Sequence, residues 1–417
     1  MTSKGAALNF AVALLCNLYA CPSFAQDDIQ NYSKGTILEA FKPRVTGDVR
    51  MRYQAIETDN FPQSGEALTL RFLGTIEANL FEKTFVLAEV EGVKALVDDY
   101  NDGTDQRPTR PFIPDPEGID LNRLQIISEA IPKTRITAGR QKLALDDWRF
   151  VGAFPFRQNS QTVDAIRFET KALGAGNLDA GYFNKVHRPL GSRNPNGVFS
   201  GDSYYLNYNI ATPLGRFTAF HYALDLKTTA DTFLRQNASS QTTGARLLGR
   251  RDWDNLSIIW AGSYARQTDY ANNPSNYAAD YALLEVAVKP GPFDLRVRGE
   301  VLGSDNGQSV QTPLASLHKF QGFADQFLTT PNDGVRDYSI LGRYNFGSIG
   351  PISNVETFAR HHWFESDTDQ RSYGRELNLS LKATLNKTSF ALEYADYKAE
   401  TFSGDTRTLF LTTEISF

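Results

Sequence analysis

Cysteine is almost missing from this chain. Its 417 residues hold two, Cys16 and Cys21, and both fall in a segment expected to be removed on secretion. A mature chain would then carry no disulfide and no thiolate metal site. Histidine is scarce as well, with five in all: His187, His221, His318, His361 and His362. On a strand, neighbours such as His361 and His362 point to opposite faces and cannot chelate one metal together. No H-E-x-x-H or G-x-S-x-G motif occurs, which removes the usual signatures of zinc peptidases and serine hydrolases. No long apolar run follows Leu8–Tyr19, and mean hydropathy is -0.37. That excludes a helical membrane protein. A membrane barrel stays open, because its outward and inward residues alternate and average to a soluble-looking value. The formal net charge of -5 offers no basic footprint, so no nucleic-acid partner is expected.

The first residues read as a secretory signal. Lys4 supplies positive charge, Leu8–Tyr19 the apolar stretch and Ser23-Phe24-Ala25 a cleavage site. The stretch falls short of the roughly 20 residues that a spanning helix needs. Residues 1–25 are therefore expected to be a signal, 26–43 a short periplasmic lead, and 44–417 one β-barrel domain. Losing Lys4 takes the charge to -6. A rival reading is lipoprotein processing at Leu18-Tyr19-Ala20-Cys21, for which Tyr19 is an atypical residue.

The rest of the chain repeats a unit of alternating strand and connection about eighteen times, which fits a closed antiparallel sheet in an outer membrane. The expected strands are Arg44–Ala55, Glu66–Phe81, Thr84–Val97, Asp120–Ile131, Thr134–Leu143, Thr162–Ala172, Asn177–Val186, Ser203–Ala211 and Arg216–Leu226. They continue as Gln241–Gly249, Asn255–Gln267, Ala278–Val288, Phe293–Leu302, Asp337–Phe346, Asn354–Phe364, Tyr373–Leu385, Thr388–Tyr397 and Arg407–Phe417. Connections alternate between tight turns such as Asn386-Lys387 and long polar segments such as Asp98–Ile119 and Gly303–Arg336. Short periplasmic turns and long external loops give that rhythm. The architecture is all-β, with 18 strands by this count and about 16 as the alternative. An aromatic content of 12%, including 28 Phe and 18 Tyr, suits girdles at two membrane interfaces.

The faces carry the functional argument. Leu295, Val297 and Val301 alternate with Asp294, Arg296, Arg298 and Glu300. A charge facing lipid at mid-depth costs about 2–4 kcal/mol, so the charged face should line the lumen. A soluble β-sandwich would reverse the faces, and period alone does not separate the two. By this parity the pore-lining residues are Arg50, Arg52, Arg71, Arg123, Arg296, Arg298, Arg343 and Arg360, with Glu77 and Glu300 among the interleaved carboxylates. Arginine forks grip carboxylates, and rings of Arg and Lys favour anions. The bland alternative for each arginine is a brace in an Arg–Glu ladder. Two connections are too apolar for free loops, Phe150–Phe156 and Leu317–Phe327. The first is expected either to fold into the lumen as a constriction or to pack at the rim.

A resemblance rests on two runs. Gly139-Arg140-Gln141, Asp146-Asp147, Arg149-Phe150, Gly152 and Arg157-Gln158-Asn159-Ser160-Gln161-Thr162-Val163-Asp164 form the first; His318-Lys319-Phe320-Gln321-Gly322-Phe323-Ala324-Asp325, followed by Asp337, forms the second. Together they resemble the alginate-export family of outer-membrane barrels. The resemblance implies a monomeric eighteen-stranded barrel with an arginine-rich lumen, related to an exporter of the polyuronate alginate. It marks Arg140, Asp146, Asp147, Arg149, Arg157, Asn159, Asp164, His318, Gly322 and Asp325 as motif residues, either loop anchors or solute contacts.

The expected function is a passive outer-membrane channel for a hydrophilic, anionic solute or polysaccharide, without catalytic residues, cofactor or metal. The alternative is a general small-solute porin on the same barrel, with an outer-membrane enzyme, a plugged receptor or an adhesive barrel behind it. The expected partners are the outer-membrane bilayer, the solute and, during biogenesis, the barrel-assembly machinery.

Overall fold

The computed structural model describes residues 43–104, 107–227 and 238–417. The expected signal and nearly all of the lead lie outside the described residues. The strands are β1 (Arg44–Thr58), β2 (Gly65–Phe81), β3 (Thr84–Asp99), β4 (Gly118–Ser128), β5 (Thr134–Gln141), β6 (Thr162–Thr170), β7 (Gly176–His187), β8 (Val198–Thr212), β9 (Gly215–Leu224) and β10 (Ser240–Trp253). There follow β11 (Leu256–Asp269), β12 (Ala278–Pro290), β13 (Phe293–Leu302), the two-residue strands β14 (Ser304–Asp305) and β15 (Gln308–Ser309), β16 (Val335–Ile349), β17 (Ile352–Glu365), β18 (Ser372–Leu385), β19 (Thr388–Ala399) and β20 (Thr406–Ser416). All but β14 and β15 form one 18-stranded sheet. Each strand pairs antiparallel with its neighbour, and β1 pairs with β20 from Asp48↔Ser416 to Thr58↔Thr406, which closes the barrel. At the seam the Phe417 N–H donates to the Gly47 carbonyl at 3.0 Å, and a Cβ at Gly47 would lie 2.9 Å from the Phe417 ring.

Which face is apolar decides between barrel and sandwich. Leu295 and Val297 are 50% and 54% exposed, whereas Asp294 is 4% and Glu300 0% exposed on the other face of the same strand. Phe72, Ile76, Leu284 and Ile340 are exposed in the same way. A soluble sandwich would bury these side chains; a hydrocarbon belt accounts for them. Expected and observed strand ends agree to within a few residues, except that β8 begins at Val198 rather than Ser203. β14 and β15, with a short 3-10 turn at Leu317–Lys319, are extra structure inside the longest loop.

Turns and loops segregate to opposite ends. Two-residue links such as Glu82-Lys83 and Asn386-Lys387 join strands at one end, where Lys83 and Asn386 take the left-handed backbone that tight turns demand. At the other end, loops 142–161 and 303–334 turn inward and grip each other. The Gly152 N–H donates to the Leu314 carbonyl at 2.8 Å and Ser316 N–H to the Trp148 carbonyl at 3.1 Å. The Gln161 amide donates to the Leu314 carbonyl at 3.1 Å. Phe150 then packs against the inward rings of Phe220, Tyr222 and Tyr281, at centroid distances of 5.1 to 5.9 Å. Of the two expectations for this segment, the structure takes the inward fold.

Candidate functional site

Among the described residues the lumen holds a cavity of about 600 Å³ towards the loops, here the upper cavity, and one of about 430 Å³ towards the turns, the lower cavity. Barrel strands give the upper cavity a basic wall, made of Arg246 on β10, Arg296 and Arg298 on β13, Arg343 on β16, Arg360 on β17 and Lys382 on β18. The loops add Arg157, Arg188 and Lys319, for nine cations against the carboxylates of Asp147, Glu285 and Glu393. The same cavity is lined by Trp148, Phe154, Phe156 and Phe323, with Lys319 4.7 Å over the Trp148 ring and His318 stacked 3.5 Å from the Phe156 ring.

Six of those cations already hold a carboxylate. Arg157 meets Asp325 at 2.6 Å, Arg296 meets Glu285 at 2.6 Å, Arg298 meets Glu300 at 3.1 Å and Lys382 meets Glu393 at 3.2 Å. Arg343 meets Glu356 at 3.4 Å, and Arg246 pairs with Asp147. Arg188, Lys319 and Arg360 have no carboxylate within salt-bridge reach among the described residues. Burial lowers Arg188 to about 10, so it stays a cation near neutral pH. Burial opposes ionisation of Asp147, but Arg246, Arg298 and Lys319 outweigh it and hold this carboxylate below its ordinary range. Among the described residues, no group of three or more His, Cys, Asp and Glu is arranged to hold a metal ion. His362 faces inward onto Asp337 at 2.8 Å, while His361 packs against the outward Trp363.

The residues expected to line the pore divide in two. Arg296, Arg298, Arg343 and Arg360 border the upper cavity, and Arg50 and Arg52 the lower one. Arg71, Arg123, Glu77 and Glu300 border neither. Arg71 is closed off between Asp48 and Glu414, and Arg123 is pinned on Glu89. Glu300 is sealed beneath the loops by Arg149 at 3.0 Å, the Tyr281 hydroxyl at 2.8 Å and the Gln321 amide. Glu77 lies opposite Arg44, towards the turn end of β2. Inward parity alone does not separate wall from water, because inward loops cover part of the wall.

Most motif residues hold these loops in place. Asp146 accepts from Asn207 at 2.7 Å and from the Tyr222 hydroxyl at 3.2 Å. Arg149 lies 4.6 Å over Phe320, and Asn159 donates to the carbonyls of Pro116 and Pro189. Asp325 accepts from Arg157 and meets His318 Nδ1 at 3.0 Å. Gly322 has φ +84, and a Cβ there would sit 2.4 Å from the Glu376 carboxyl. Asp147, Arg157 and His318 also face the upper cavity. Arg140 and Asp164, marked as loop anchors or solute contacts, lie on β5 and β6, within the strands expected there. They pair at 2.8 Å on the outward face, level with the exposed Leu124. Arg246 and Lys382 escaped the sequence reading, although alternation beside Leu247 and Leu381 marks both as inward.

No protein-family model matches the sequence, and no curated protein does. Solved structures do match. The outer-membrane protein OpdK of Pseudomonas aeruginosa aligns with a TM-score of 0.67 at 12% identity, over 90% of this chain and 98% of OpdK. OccAB4 of Acinetobacter baumannii gives 0.67 at 12% identity, over 90% and 98%. OpdO of P. aeruginosa gives 0.68 at 13% identity, over 90% and 97%. The chain shares the fold of these outer-membrane proteins, a closed 18-stranded antiparallel β-barrel. Its place is the bacterial outer membrane, where the exposed apolar face meets lipid. The likeness is one of fold, and the alginate-export resemblance finds no support in any of these comparisons.

Proposed function

We propose that this chain is a passive outer-membrane channel for small anionic solutes, carboxylates above all. The carrying observation is the upper cavity, where nine cations face three carboxylates. Clefts with one sign of charge and low-dielectric walls concentrate counter-ions, and Arg forks match carboxylates. The aromatic rings in the same lining would shield the apolar part of such a solute from water. OpdK has been solved with vanillate, a molecule that joins a carboxylate to an aromatic ring and would suit this mixed lining. A polyuronate is the poorer fit, since loops 142–161 and 303–334 cross the lumen and are bound to each other. The proposed role needs no catalysis, no cofactor and no partner subunit.

The test is reconstitution of the purified protein in a planar bilayer under a salt gradient. Anion-selective reversal, with vanillate or benzoate reducing the current and polyuronate leaving it unchanged, supports the reading. Cation selectivity, or a current blocked by polyuronate alone, refutes it.

A further inference from the structure

The upper and lower cavities share four residues: Pro155, Phe156, Lys382 and Glu393. They mark the neck where one cavity passes into the other. On one side stands the tip of loop 142–161, fixed by Arg50, which donates to the Pro155 carbonyl at 2.9 Å, and by Arg52, 4.1 Å over the Phe156 ring. On the other side Lys382 of β18 and Glu393 of β19 meet at 3.2 Å. Their exposure is unequal, with side chains 45% and 9% exposed. The ammonium therefore reaches into the passage while the carboxylate lies against the wall. Arg50 is held by Glu414 at 2.9 Å, and Arg52 has no carboxylate within salt-bridge reach among the described residues, so Arg50, Arg52 and Lys382 present three cations at the neck for the two anions Glu393 and Glu414.

We propose that Glu393 is a specificity-determining residue of the channel: a tethered anion that holds Lys382 while the neck is empty and yields it to the carboxylate of a passing solute. This inference rests on the anion-channel reading above. The solute exchanges one carboxylate for another on the same ammonium, so Lys382 is never left without a counter-charge and the solute meets no deep well. Conduction requires binding favourable enough to admit a solute and weak enough to release it. A bare Lys382 would satisfy the first condition and fail the second. No bond is made or broken, and the only species moving is the solute anion.

The experiment uses the full-length protein in planar bilayers with potassium acetate as the probe. Conductance is followed as concentration rises, and reversal potential under a gradient, for wild type, Glu393→Gln and Glu393→Asp. Glu393→Gln is expected to raise the acetate-to-potassium permeability ratio and lower the half-saturating concentration, each about five-fold, the scale of one partly exposed charge pair. Its limiting conductance should fall as release slows, and Glu393→Asp should stay near wild type. A wild type selective for acetate, with neither quantity changed in Glu393→Gln, overturns the hand-off and leaves the channel reading standing. A wild type that is not anion-selective overturns both. Heat-dependent gel mobility shows whether the variant barrel has folded, and if Glu393→Gln fails there, Lys382→Gln decides. It should lower the ratio below wild type, and an unchanged ratio overturns the inference.

Discussion

Gly322→Ala should open the channel by releasing loop 303–334 from the wall. Gly322 has φ +84, and an added Cβ would meet the Glu376 carboxyl at 2.4 Å. Glu376 is fully buried on β18 and accepts the Ala324 N–H at 2.9 Å, so it is the hook on which this loop tip hangs. A left-handed alanine costs about 1–2 kcal/mol. Pushing Glu376 aside strands a buried N–H, at about 1–3 kcal/mol. Together these come to about 2–5 kcal/mol against the docked loop, and each 1.4 kcal/mol shifts the docked-to-free ratio about ten-fold. The Arg157–Asp325 pair and the His318 stack depend on the same tip, so they should loosen with it. The assay is single-channel conductance, with heat-modified gel mobility to show that the barrel still closes. Larger and noisier openings are expected. Wild-type conductance from a properly closed Gly322→Ala barrel would show that Glu376 does not hold the loop, and the reasoning would fall.

Arg360→Glu should move the reversal potential towards cation selectivity, since it reverses a lumen charge that holds no carboxylate and so disturbs no pair. Arg298→Glu is a poorer probe, because it takes one of two arginines from the buried Glu300 and sets a second carboxylate beside it; its folded yield should be measurably lower. Phe156→Ala removes the neck's ring and its Arg52 contact, worth about 0.5–2 kcal/mol. Conductance should rise while anion selectivity persists, as current–voltage curves in KCl would show. Acid should loosen the loops late. Burial opposes ionisation of Asp325, but His318 and Arg157 outweigh it and depress this carboxylate below its ordinary range. A depressed carboxylate contributes stability above its unfolded value, about 3.9 for Asp, and loses it as pH falls through the folded value. Conductance traced from pH 7 downwards should stay constant to about pH 4 and rise below it, and Asp325→Asn should show the open behaviour at neutral pH.

The barrel was legible because each strand carries its own evidence. Leu295 and Val297 against Arg296 and Arg298 name both faces within four residues, and Asn386-Lys387 names a turn by itself. β8 was read short because Val198–Asp202 extends beyond the apolar belt, where alternation no longer reports on lipid. The lumen was not legible, since its shape depends on contacts remote in sequence. Gln161 meets Leu314 across 153 positions, and Arg157 meets Asp325 across 168. The apolar content of Phe150–Phe156 showed that this loop needs cover, but only the opposing loop and the inward rings of β9 and β12 decide that the cover is inside.

That dependence explains why residue type failed to rank the arginines. Arg71 and Arg360 read alike in sequence, both inward on alternating strands. In the structure Arg71 has two carboxylates and no view of the lumen, while Arg360 has none and faces the cavity. The sum of neighbouring charge separates them: a guanidinium held by fixed carboxylates braces the wall, and one lacking them offers its donors to whatever enters. By that criterion Arg188, Lys319 and Arg360 are the sites at which a solute carboxylate would gain most, and Lys382, already held by Glu393, is one at which it gains less and leaves faster. Strong sites above a weak neck would give a path that collects anions from the loop side and lets them go towards the turns.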